Sequence, residues 1–204
     1  MEPVRSLYII PPGAEAEPEK FFTEGLALLK EINGIKNKQP NKAHYLLAKL
    51  EQQGMISCII TQNIDGLHQK AGSSRVLEVH GNLNQAYCMQ CRQQFDFNYL
   101  LDLSQTEVPP RCACGGIIRP GVVLFGDPLG PDFQKAEQKA VQSDMMLVIG
   151  SSLEVSPVNG LPELCGLFII INLESTTYDC LARMVWHQKA SAALEDIYKL
   201  IAKD

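Results

Sequence analysis

Apolar residues along the chain recur in two rhythms. "NKAHYLLAKLEQQG" (41–54) places Ala43, Leu46, Leu47 and Leu50 at helical spacing, and Gly54 is suited to close that helix in the left-handed conformation. "ASAALEDIYKLIAK" (190–203) is a second amphipathic helix, with Leu194, Ile197 and Ile201 on one face. "DFQKAEQKAVQS" (132–143) reads as a third, capped by Asp132, and "PEKFFTEGLALLKEI" (18–32) as a fourth, with Pro18 in its first turn. The other rhythm is the short unbroken apolar run: "MISCIIT" (55–61), "DMMLVIGSS" (144–152) and "LFIIINLES" (167–175). Runs of this kind predict strands buried on both faces. "VLEVHGN" (76–82) alternates weakly, and "GVVLFGDPLG" (121–130) reads as extended chain followed by a turn.

Helices alternating with fully apolar strands predict an α/β fold with a parallel sheet covered on both faces. In such sheets ligands bind beyond the carboxyl ends of the strands. Three strands here end in polar or small residues: Gln62-Asn63-Ile64-Asp65, Gly150-Ser151-Ser152 and Asn172-Leu173-Glu174. The expectation is that these ends gather on one sheet edge as a site. The competing reading is three ordinary strand-to-loop turns.

Residues 83–116 break the pattern. They hold few long apolar runs, a Pro109-Pro110 pair, and four of the seven cysteines in two tight pairs. Cys88 and Cys91 are separated by two residues, Cys112 and Cys114 by one, and twenty residues lie between the pairs. Such pairs can turn four thiolates onto one ion, with Gly115-Gly116 allowing the tight backbone that this needs. Four thiolates leave no open position, so the metal is a structural Zn²⁺. A redox pair or a disulfide is the alternative. Cys58, Cys165 and Cys180 are scattered among apolar neighbours and read as small buried hydrophobes.

Composition narrows the class further. A net charge of -5 argues against nucleic acid as the main partner. No apolar run approaches the ~18 residues of a membrane span, and the start lacks a signal-peptide pattern. With the clustered cysteines, this predicts a cytoplasmic protein, or a nuclear one if the source is a eukaryote.

Six stretches in order carry a resemblance: "TQNIDGLHQKAG" (61–72), "EVHGN" (78–82), the four cysteines, "IIRPGVVLFGD" (117–127), "GSSLEVSP" (150–157) and "INLE" (171–174). Together they resemble the sirtuins, the family of NAD-dependent protein deacylases, from about Pro40 to the C-terminus. The resemblance implies a Rossmann-like NAD-binding domain over 1–82 and 117–204, with an inserted zinc module over 83–116. It implies removal of acyl groups from protein lysine, with nicotinamide released and the acyl group ending on ADP-ribose. His80 is then the general base that activates a ribose hydroxyl, a task that suits a group titrating near neutrality. Asn63 and Asp65 shape the nicotinamide pocket and share in catalysis. Gln62 and Ile64 stand with them, Gln62 at a ribose position. Gly150, Ser151 and Ser152 approach the cofactor. Asn172, Leu173 and Glu174 lie beside the adenosine ribose, and Ala190 near the adenine. Val122, Val123, Phe125 and Gly126 match the segment on which an acyl-lysine peptide pairs by main-chain hydrogen bonds. His68 takes no catalytic role.

The family's opening strand, its Gly-Ala-Gly-Ile-Ser-like loop and the following Pro-Asp-Phe-Arg segment have no match here. The expectation is a shortened chain, or one in which "RSLYII" (5–10) fills part of the gap, with weak NAD affinity and an unpaired sheet edge. "FFTEGLALLKE" lacks the Tyr-x-x-Arg pair of succinyl- and malonyl-selective members, which points to acetyl or apolar acyl groups. Two other functions follow from the same features: an acyl-lysine peptide-binding or partner-binding module without turnover, and protein ADP-ribosylation.

Overall fold

The structure is a computed structural model that describes residues 21–22, 38–124 and 126–201. The helix expected over 18–32 lies outside the described residues apart from Phe21 and Phe22. Contacts divide the chain into two compact units. The first gathers Gln62–Gly66 and His80–Leu129; the second gathers Gln39–Thr61, Leu67–Val79 and the chain from Gly130 onward. The 83–116 segment lies wholly within the first unit.

In the second unit, helix α1 (Lys42–Gln52) starts at Asn41, whose Oδ1 accepts from the N–H groups of Ala43 (2.9 Å) and His44 (3.3 Å). The Asn41 N–H in turn donates to His44 Nδ1 at 3.3 Å, so three N–H groups at the helix start are satisfied. Past its end Gly54 takes a φ of 77°, as the sequence suggests. Strand β1 (Ile59–Thr61) runs parallel to β2 (Val76–Glu78). Strands β6 (Met146–Ile149), β7 (Phe168–Ile171) and β8 (Met184–Trp186) form a second parallel set. One continuous sheet was the expectation. Among the described residues no strand joins β1 to β6, so the parallel strands stand as two sheets.

The last helix, α6 (Ala190–Ile201), packs beside α1, and the two bury Ala43, Leu46, Leu47, Ile59 and Leu194 in one apolar cluster with Val76 and Ile149 against it. Helix α4 (Pro131–Gln142) begins two residues earlier than a cap at Asp132 would give. Pro131 has no N–H to satisfy and occupies the first helical position, so Asp132 falls inside the first turn and is not the cap. Its carboxylate accepts instead from the Glu78 N–H (3.2 Å) and Lys135 (2.8 Å). No helix among the described residues is long and apolar enough to cross a membrane.

Glu51 of α1 is 3% exposed and accepts through Oε1 from the Ser74 N–H and hydroxyl and from the Arg75 N–H and Nε, at 2.8–3.3 Å. Arg75 also reaches the Glu51 and Ile56 carbonyls, and its own carbonyl accepts from Ile59. This knot sets the register of β1 against β2. Burial pushes the Glu51 carboxyl up, but the hydrogen bonds from Ser74 and Arg75 outweigh it and hold it below its ordinary value. A depressed carboxyl stabilises the fold above its unfolded-state value and loses that contribution as pH falls through its folded-state value. Glu51→Ala is expected to cost about 1–3 kcal/mol, because it removes four hydrogen bonds to one buried carboxylate oxygen, while the exposed Ser74 and Arg75 can turn to water. Urea unfolding at pH 7 checks this; a cost within about 0.5 kcal/mol, the range of an inert surface site, would contradict it.

The first unit contains a three-stranded antiparallel sheet, β4–β3–β5, built from β3 (Gly81–Cys88), β4 (Gln94–Asp96) and β5 (Ile118–Val122). Helix α3 (Phe97–Leu103) follows β4, with Asp96 Oδ1 capping the Asn98 N–H at 2.7 Å. Leu83, Ala86, Cys88, Phe97, Leu100, Cys112, Ile118 and Val122 form its core.

Candidate active site and metal centre

The four paired cysteines converge. Their sulfurs all lie within 4.8 Å of one another, with Cys88 and Cys114 at 3.5 Å and Cys91 and Cys112 at 3.7 Å. Four sulfurs held about 2.3 Å from one tetrahedral ion stand about 3.8 Å apart, so the spacing fits zinc. The single-residue spacer of the second pair is accommodated by a turn in which the Gly115 N–H donates to Cys112 O and the Cys112 N–H to Gly116 O. A side chain at Gly116 would press on Cys88 Sγ and Gln90, both 2.7 Å from the position of a Cβ. The Cys88 thiol is drawn down to about 6, first because the Cys91 backbone N–H donates to it. Cys91 is pushed up to about 12: the Gln93 backbone favours its thiolate, but Cys114, burial, Cys88 and Cys112 together outweigh that. Thiols packed this closely ionise together only around a cation.

The other expected residues form two groups, one in each unit. In the first unit, His80 is half-buried and precedes Gly81, whose φ is 71°. A Cβ on Gly81 would overlap the Gly121 carbonyl oxygen, so only glycine lets β3 and β5 approach here. The His80 carbonyl accepts from the Val123 N–H at 2.9 Å, and its ring N–H donates to the Gln62 carbonyl. Burial lowers the His80 pKa and outweighs that hydrogen bond, which raises it. The imidazole is therefore neutral at neutral pH, with one ring nitrogen steered by Gln62 and the other able to accept a proton. Ile64 anchors the polar run: its side chain packs on the first unit's core and its carbonyl accepts from the Leu83 N–H at 3.2 Å. Asn63 is exposed and Asp65 half-buried on either side of that anchor. One unit thus brings together Gln62–Asp65, His80, Val122, Val123 and Gly126; Phe125 lies outside the described residues.

The Val122–Leu124 segment is held by residues to which the sequence reading gave no role. Arg119 of β5 is 3% exposed and donates to both carboxylate oxygens of Asp127, through Nη1 at 3.1 Å and through Nη2, which also donates to Val122 O at 3.2 Å. Burial raises the Asp127 carboxyl, but hydrogen bonds from Arg119 and Leu124 and the Arg119 charge hold it below the ordinary carboxylate value. An Arg and an Asp within one apolar run, "IIRPGVVLFGD", were the available signal.

In the second unit, β6 and β7 end side by side. Asn172 Nδ2 donates to Ser151 O (3.2 Å) and Glu174 O (3.0 Å), tying Gly150–Ser152 to Asn172–Glu174. The Leu153 N–H donates to Ser151 Oγ at 3.2 Å, which leaves that hydroxyl its own proton. Gly150 has a φ of 65° and open space where a Cβ would stand; Ser152, Leu173 and Glu174 are exposed. Small residues, hydroxyls and a carboxylate at the carboxyl ends of parallel strands suit the ribose and phosphates of a nucleotide. Ala190 opens α6 and packs on the cluster around Leu194.

Residues 12–157 match the model of the Sir2 family. The chain is 47% identical over 186 residues to NAD-dependent protein deacetylase 2 of Caldanaerobacter subterraneus subsp. tengcongensis, covering 90% of this chain and 73% of that protein. Among solved structures it is similar to Sir2 with a p53 peptide and NAD+, at 32% identity and a TM-score of 0.87, covering 100% of this chain and 87% of the other. It is also similar to Sir2 in complex with the inhibitor EX-527, 2'-O-acetyl-ADP-ribose and deacetylated p53 peptide, at 33% identity and a TM-score of 0.83, covering 94% and 83%.

Proposed function

Because the chain belongs to the Sir2 family, we propose that it is an NAD-dependent protein-lysine deacetylase. The observation that carries this reading is His80: a half-buried imidazole hydrogen-bonded to the Gln62 carbonyl, whose own backbone carbonyl holds Val123. NAD, when bound, would supply an electrophilic ribosyl carbon and nicotinamide as its leaving group, so that, with one water consumed, the acyl group would end on ADP-ribose.

The chain's residues do the rest. The ring nitrogen of His80 that does not bond Gln62 takes a proton from a ribose hydroxyl. Asn63 and Asp65 hold the carboxamide and ribose, with the Asp65 carboxylate placed to favour positive charge that develops on the sugar. Gln62 and Ile64 complete that run. Gly150, Ser151, Ser152, Asn172, Leu173, Glu174 and Ala190 take the adenosine end. Val122, Val123, Phe125 and Gly126 receive the acetyl-lysine peptide as an added strand. Cys88, Cys91, Cys112 and Cys114 hold one structural zinc. Their thiols require a reducing compartment, and we place the protein in the cytoplasm.

Peptide-dependent release of nicotinamide from NAD tests this reading; release that does not depend on the acetylated peptide would count against it. The pH profile is a sharper test. Protonation removes the base, so kcat/KM falls on the acid side. Because burial lowers the His80 pKa, the midpoint of that fall is expected below 6.5, the ordinary imidazole value. A midpoint at or above 6.5 would contradict the assignment.

A further inference from the structure

We propose that the pair formed by buried Arg119 and half-buried Asp127 is a positioning device that presets the Val122–Leu124 backbone for the acetyl-lysine peptide; this rests on reading that backbone as the peptide-pairing segment. Five hydrogen bonds close the segment on itself. Arg119 grips both oxygens of Asp127 and the Val122 carbonyl. Asp127 Oδ2 accepts from the Leu124 N–H at 2.9 Å, and the Asp127 N–H donates back to Leu124 O at 3.0 Å. The Val123 N–H is spoken for by His80 O, so the same segment is fixed to the residue assigned as base. Val122 and Leu124 point into the protein, and Val123 between them is half-buried. From β3, the Tyr87 ring lies 5.8 Å from the Arg119 guanidinium.

Packing alone does not explain such a pair. A buried guanidinium beside a half-buried carboxylate is costly to desolvate, and apolar side chains of similar volume commonly fill such space at equal or better stability. Apolar side chains cannot, however, accept from a loop N–H and donate to a strand carbonyl at once. The arrangement spends its polarity on the backbone of Val122 and Leu124. These bonds take up Val122 O, the Val123 N–H and both main-chain groups of Leu124, so Val123 O, which no bond among the described residues reaches, is the acceptor this preset backbone offers a peptide strand, with less freedom lost on binding. The Arg fork is needed because a Lys could not hold both carboxylate oxygens and Val122 O in one plane.

The test compares the full chain with Asp127→Asn, Asp127→Glu and Arg119→Lys. Binding of a fluorescent acetyl-lysine peptide is measured by anisotropy, kinetics at saturating NAD, and amide hydrogen exchange at Leu124. Asp127→Asn and Arg119→Lys are expected to raise the peptide Kd and KM by roughly tenfold or more, with KM for NAD within about threefold. Leu124 exchange is expected to quicken in both. Asp127→Glu, which keeps the carboxylate, is expected to recover most of the affinity. Unchanged peptide Kd in Asp127→Asn, in a wild type that binds the peptide, would overturn the proposal. So would equal losses in peptide and NAD terms, which indicate general damage. A wild type that fails to bind the acetylated peptide would overturn the peptide-segment reading itself and this proposal with it.

Discussion

His80→Ala is expected to lower kcat for peptide deacetylation by about 10²–10⁴-fold, the usual worth of a positioned general base. The loss should fall on turnover and leave the site assembled. The side chain is half-buried and its one described hydrogen bond is to the Gln62 carbonyl. The backbone contact that matters, Val123 N–H to His80 O, survives the substitution, as does the close approach of Gly81 to Gly121. Peptide affinity should therefore stay within about threefold, below the loss of one net hydrogen bond. Steady-state kinetics with a matched binding measurement separates the two. A variant retaining more than a tenth of wild-type kcat would remove His80 from the chemistry.

The second large effect concerns the metal. Stripping zinc with a chelator, or changing Cys112 to Ser, is expected to lower the melting temperature by roughly 10 °C or more and to loosen the β3–β5 sheet first. Structural zinc contributes on the order of 10 kcal/mol in small metal-dependent folds, comparable with the whole stability of a domain. Cys88 and Cys112 belong to the same buried cluster as Leu83, Phe97 and Ile118, so the metal site and the first unit's core are continuous. Freshly purified protein should contain one zinc per chain. Metal-free protein with unchanged melting would contradict the four-cysteine assignment.

Much of this was legible in sequence because it rests on local pattern. The helix over 41–54 shows its apolar face and its Gly54 exit within fourteen residues, whereas its Asn41 cap emerges only in the structure. The cysteines declare their partners by spacing. The misread features depend on contacts far apart in the chain or on shared boundaries. Strand β3 carries a register shift between Gly81 and Ala86, so its buried positions, Leu83, Ala86 and Cys88, lack strict alternation and no strand shows in the sequence of the metal-held insert. Asp132 looked like a cap until Pro131 took the first helical position. The Arg119–Asp127 pair sits inside an apolar run that reads as strand and turn; its two charges single the pair out, but that it closes on its own backbone shows only in the structure. The bond between Val123 and His80 spans two motifs that the sequence reading assigned separately, one to substrate and one to catalysis.

The most direct test of the assigned function is the fate of the acetyl group. Purified, zinc-loaded protein is incubated with NAD and an acetyl-lysine peptide, and the products are identified by mass spectrometry. The expected result is O-acetyl-ADP-ribose, formed in equal amount with nicotinamide and deacetylated peptide. Free acetate without O-acetyl-ADP-ribose, ADP-ribose attached to protein in its place, or no product at high enzyme and NAD would contradict it.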